Sequence, residues 1–142
     1  MSKSPTKKNG FTIIEAVVAF VVLIIGIFAV MQIFPFSLKL VGDSQSTTNA
    51  SIIGLEKIEE LISLGYDDIG TGTIEAKHRL SDDDTNYLYD FQRQTVVQTV
   101  DSNLNPSGSD IGFKKITVTV YWRSTIRSTE KSIEMNSLIS KY

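Results

Sequence analysis

The chain of 142 residues has no cysteine, one histidine and one tryptophan. Without cysteine there is no disulfide framework, no thiolate-bound zinc and no thiol nucleophile. An exported domain can do without disulfides when its core suffices, so this absence leaves the compartment open. The lone histidine, His78, has no cysteine partner and no triad around it, and reads as a solvated residue. Neither a G-x-x-x-x-G-K-[ST] loop nor an H-E-x-x-H helix is present. The acidic stretch Ser81 to Asn86 lacks the D-x-D-x-D-G spacing and distal glutamate of a calcium loop. Asn49-Ala50-Ser51 matches the glycosylation triplet but falls in a predicted helix. A net charge of -2 offers no basic face for nucleic acid. No cofactor, no metal and no enzymatic activity are expected.

What is present is unevenly spread. Between Phe11 and Phe34 about 16 residues are Phe, Ile, Val or Leu, and Glu15 is the only charge. No charge follows from Ala16 to Leu38. About 20 apolar residues in a helix span a hydrocarbon core about 30 Å thick. The apolar side chains contribute about -5 to -9 kcal/mol to insertion, against roughly 3 kcal/mol for a central charge. Insertion wins despite Glu15. A buried core helix would need a partner surface that the polar remainder does not supply. The run exceeds the 7–15 apolar residues of a secretory signal, and no A-x-A site follows it. Lys3, Lys7 and Lys8 precede it without an acidic offset, which places the N-terminus in the cytoplasm.

Pro35 lacks an N–H and its ring crowds the preceding turn, so it is expected to kink or loosen the helix. Gly42 and Asp43 form a second weak point. Helical periodicity resumes from Ser44 to Leu64, with Ile52, Leu55, Ile58, Leu61 and Ile62 on one face and Glu56, Glu59, Glu60 and Ser63 mostly on the other. Gly65 fits the left-handed residue after a helix. One nearly continuous helix from about Thr12 to Leu64 is the expectation, its first half apolar all round and its second half one-sided.

Beyond Gly65 the pattern changes from helical to alternating. In Lys114 to Arg123, Ile116, Val118, Val120 and Trp122 point one way and Thr117, Thr119, Tyr121 and Arg123 the other, as in a half-buried strand. Lys131 to Ile139 gives a second strand with Ile133 and Met135 inward, reached through a connection at Ser124 to Glu130. Tyr87 to Val100 holds a third, with Tyr89, Phe91 and Val97 on one face. Thr73 to Leu80 is a short edge strand, and Asp101 to Gly112 a loop. The expected fold is α+β: a long N-terminal helix on an antiparallel sheet of three or four strands.

Gly10-Phe11, Thr12, Glu15, the apolar helix, its amphipathic continuation and the small sheet together resemble the type IV prepilin family, which includes the pseudopilins of type II secretion. The stretch "GFTIIEAVVAF" is similar to that family's processing and methylation motif. The resemblance is strong over about Lys7 to Leu38. Leu55 to Ile69 and Lys114 to Trp122 look like minor pilins of the pilus-modification type and minor pseudopilin I. The resemblance implies a leader, 1–10, cut by prepilin peptidase between Gly10 and Phe11, with N-methylation of Phe11. It implies a transmembrane and assembly helix over 11–38 and an outward-facing domain over 39–142. The implied partners are the peptidase, other pilin or pseudopilin subunits, the inner-membrane assembly platform and lipid. The implied location is the inner membrane, then a surface pilus or periplasmic pseudopilus. The chain departs from major pilins that close a C-terminal loop with a disulfide, and its helix-loosening proline lies later than is usual there.

Two readings of Glu15 compete. Thr12-Ile13-Ile14-Glu15 fits the S/T-x-x-E capping box. Alternatively, cleavage after Gly10 creates an amine on Phe11, of the same chain or its neighbour, and a carboxylate at membrane depth is tolerated when so paired. Against both stands a third picture of the whole chain, an uncleaved single-pass anchor that displays a binding domain.

Overall fold

The computed structural model describes residues 10–124, 126 and 129–141. Lys3, Lys7 and Lys8, on which the expected orientation rests, lie outside the described residues. The first element is helix α1, Ile13–Leu64. Four strands follow: β1 Gly72–Arg79, β2 Phe91–Thr99, β3 Phe113–Arg123 and β4 Glu130–Ser140. They form one antiparallel sheet in the order β1-β2-β3-β4. The expected helix followed by four strands is therefore what is found. The chain divides into two compact units between Leu38 and Lys39.

In the first unit α1 starts with a cap. The Thr12 hydroxyl accepts the Glu15 N–H at 3.3 Å, and the Thr12 carbonyl accepts the Ala16 N–H at 3.1 Å. From Gly10 through Leu38 every residue is exposed. The helix is long and apolar enough to cross a membrane, with none of its most apolar window buried. Pro35 does not end the helix, which continues through it. Proline removes one backbone donor there, while the Ser37 hydroxyl donates to the Ile33 carbonyl at 3.0 Å.

Gly42 and Asp43 also lie inside α1, contrary to their reading as a weak point. Ser46 and Thr47 donate their hydroxyls to the Gly42 and Asp43 carbonyls at 3.1 and 3.0 Å. Thr48 and Ser51 repeat the pattern onto Ser44 and Thr47. Such back-bonding gives each hydroxyl a partner within the helix, at a slight cost in helix stability. Asp43 is itself buried, which no turn residue at the surface would be.

In the second unit the inward row of β3, Ile116, Val118, Val120 and Trp122, is buried throughout, as the alternation predicts. It packs with Phe91 and Val97 of β2 and with Ala50, Ile53, Ile58 and Leu61 of α1. Burying each large aliphatic side chain contributes about 1.5–3 kcal/mol. Ile133 and Met135 are only partly buried because β4 is an edge strand. Tyr89 is not in a strand: it belongs to a 3-10 turn, Tyr87–Asp90, which Asn86 caps by accepting the Leu88 N–H at 2.9 Å.

The helix stripe is a partial correction. Ile58 and Leu61 are buried, but Ile52, Leu55 and Ile62 are 52%, 47% and 43% exposed. The sheet-facing positions are instead Asp43, Ala50, Ile53, Gly54, Ile58 and Leu61. Close approach explains the rotation. A Cβ on Gly54 would lie 2.6 Å from Met135 Sδ, so a residue without a side chain lets the helix sit on β4. Counting large apolar residues overlooks the small ones that face a sheet. Gly65, with φ of +84°, ends the helix as expected, its N–H bonded to the Ile62 carbonyl at 3.1 Å.

Candidate functional site

Gly10 and Phe11 precede α1 and are exposed, and a Cβ on Gly10 would meet nothing within 4 Å. Glu15 lies in the first turn, where the helix dipole favours an acid. Only half of the capping box is formed. Thr12 accepts the Glu15 N–H, but the Glu15 carboxylate has no bonded partner among the described residues. Gly10, Phe11, Thr12 and Glu15 thus share one exposed end of an apolar helix, and Pro35 lies about six turns further along it.

The second unit has polar anchors inside it that the sequence does not announce. Asp43, 7% exposed, pairs with Lys131 of β4. Hydrogen bonds from Lys131 and then Ser124 hold its carboxyl below the ordinary carboxylate range. Glu75 of β1 accepts two guanidinium bonds from Arg93 at 2.9 Å and one from the fully buried Thr95 at 2.8 Å. Burial pushes Glu75 up, but these bonds outweigh it and its proton is held more weakly than usual. Lys114, 6% exposed, donates to the Tyr66 and Ile69 carbonyls at 2.8 and 2.7 Å and lies 4.2 Å from the Tyr66 ring centroid. Tyr66 donates its hydroxyl to Asp110, whose carboxyl is lowered by that bond and by the Gly112 N–H. Lys114 thereby ties the segment after α1 to β3.

Comparison with protein families, with curated proteins and with solved structures finds no match.

The remaining residues singled out by sequence fall where local structure accounts for them. His78 is exposed on β1, 3.4 Å from Glu75, with Nδ1 3.0 Å from the Ala76 carbonyl. Asp83 uses its carboxylate to accept the N–H and hydroxyl of Thr85 at 2.9 and 2.7 Å, closing its own turn. Asn49 lies within α1 and accepts from Gln45 at 3.1 Å. Among the described residues, no group of three or more His, Asp or Glu stands ready to hold a metal ion.

Proposed function

We propose that the chain is a minor pilin-like structural subunit of a type IV pilus, cut after Gly10, N-methylated at Phe11 and assembled by helix packing. The observation that carries this reading is the head of α1. The sequence Gly10-Phe11-Thr12-Ile13-Ile14-Glu15 stands before an apolar run whose side chains are exposed among the described residues. Lipid satisfies such a surface in the precursor. Like helices satisfy it in a filament, where dispersion and close packing replace lipid contacts. Glu15 then sets the axial register, because a carboxylate in a dry bundle is penalised unless it meets the Phe11 amine. Prepilin peptidase, an inner-membrane assembly platform and neighbouring subunits are the partners of this reading.

The same features support a minor pseudopilin of a type II secretion system, since the processing motif and helix serve both filaments. An uncleaved anchor displaying the sheet unit is the competing reading of a different class. Mass spectrometry of the mature N-terminus separates them: a chain beginning at methylated Phe11 supports the filament subunit, and a retained leader supports the anchor. Glu15→Ala should leave processing intact and deplete the chain from sheared filaments. Normal incorporation of that variant would remove the register role.

A further inference from the structure

The outer face of the sheet, opposite α1, carries a cleft of about 360 Å³ at the end where β1 and β3 finish. Its wall is a stacked pair: the Arg79 guanidinium lies 4.0 Å from the Tyr89 ring centroid. Lys77 lies 3.9 Å from the Tyr121 ring centroid and forms a 2.8 Å ion pair with Glu130. That ion pair satisfies Lys77 and Glu130 mutually. Arg79 and Arg123 have no carboxylate partner among the described residues, and Asp90 has no cationic one.

The stacking decides what the cleft can bind. A guanidinium lying on an aromatic ring uses its face, and its N–H donors remain in the ring-parallel plane, free at the edge. Stacking also restricts the side chain beforehand, so less rotamer freedom is lost when a ligand arrives. Each tyrosine thus carries a cation over one of its ring faces. Two arginines without a carboxylate partner among the described residues suit a carboxylate. Asp90 and the Gln92 amide beside them suit hydroxyl groups, which both donate and accept.

We propose that this cleft binds an acidic sugar, its carboxylate on Arg79 and Arg123 and its hydroxyls on Asp90 and Gln92; Glu130, which also lines it with Tyr89, Tyr121 and Trp122, has its charge met by Lys77. The assignment is independent of the filament reading, since it concerns the sheet unit alone and holds equally for an anchored chain.

The test is titration calorimetry on the full chain in detergent micelles, with glucuronate, glucose and inorganic phosphate as probes. Glucuronate is expected to bind roughly tenfold or more tightly than glucose, the ratio set by charge-assisted bonds to arginine. Arg79→Gln and Arg123→Gln should each weaken glucuronate by about that factor and leave the thermal unfolding midpoint unchanged. Glucuronate binding no tighter than glucose overturns the proposal, and the wild-type chain alone decides that point. Phosphate binding as tightly as glucuronate also overturns it, because the hydroxyl contacts would then contribute nothing. So would arginine variants that bind like wild type.

Discussion

Up to Leu38, α1 exposes every apolar side chain it carries; from Asp43 to Leu61 the same helix buries Asp43, Ala50, Ile53, Gly54, Ile58 and Leu61. Composition explains the contrast. The first stretch is apolar on all sides, so its cover has to surround it rather than lie along one face. The second stretch has one narrow sheet-facing stripe, and one four-stranded sheet covers it. A buried aspartate is tolerated in the second stretch because Lys131 pairs with its Oδ2, while its Oδ1 is buried without a hydrogen-bond partner among the described residues. In the first stretch the only acid, Glu15, has no such partner among the described residues.

The contrast breaks most visibly at the core. Ile116→Ala, at a fully buried position of β3, should destabilise the sheet unit by about 2–5 kcal/mol. Ile24→Ala, in the exposed run, should leave the unfolding of that unit unchanged. Urea unfolding of the detergent-solubilised chain, followed by the fluorescence of the buried and only tryptophan, Trp122, reads both. Equal effects would mean that the two stretches share one folding unit.

The polar anchors come next. Glu75→Gln leaves the half-buried Arg93 without its carboxylate and should cost about 1–3 kcal/mol. Asp43, Glu75 and Asp110 all hold their protons more weakly when folded than when unfolded. Their stabilisation is complete above the ordinary carboxyl values, 3.8 for the aspartates and 4.5 for the glutamate. It is lost as pH falls through the lower folded values, because the unfolded chain then takes up protons first. Thermal unfolding should be flat from pH 7 to 5 and fall steeply below about 4. Glu75→Gln should shallow that fall, and an unchanged acid slope would show that Glu75 contributes nothing to it.

A smaller effect is expected where helix and sheet come closest. Gly54→Ala places a Cβ against Met135 Sδ, the flexible part of a thioether side chain, so Met135 can shift and the cost should be about 1 kcal/mol. Combining it with Met135→Ala should recover the clash component in a double-mutant cycle. Additive effects would show that the two residues do not touch.

These positions also mark how far the sequence could be read. The strict alternation of Ile116, Val118, Val120 and Trp122 gives the face of β3 directly, because a half-buried strand has period two. The long helix and its end at Gly65 are equally plain, since only a left-handed residue was needed there. The sheet-facing side of α1 was not plain. Ala50 and Gly54 face the sheet because they are small, and hydropathy gives smallness no weight. Lys114 and Asp43 were invisible for a related reason: a charged residue reads as solvated until its partners, far along the chain, are brought to it. At the head of α1 the motif was legible as a pattern, but the described residues give the Glu15 carboxylate no partner that would tell a cap from a pairing with the Phe11 amine of its own chain or a neighbour.

The smallest expected effect on stability is also the sharpest test of what the exposed helix face is for. Ile52, Leu55 and Ile62 lie outside the core, each about half exposed, with Glu56 and Glu59 between them in sequence. Ile52→Ser removes apolar surface that already faces solvent, and serine and isoleucine have similar helix propensities. The unfolding free energy should change by less than about 0.5 kcal/mol. If the stripe is covered only in the assembled filament, the same substitution should lower the amount of the chain recovered in sheared filaments, while membrane levels and processing at Gly10 stay normal. A variant that loses stability instead would place Ile52 in the core of the isolated subunit. A variant that changes neither would make the stripe an ordinary exposed surface and confine assembly to the helix before Leu38.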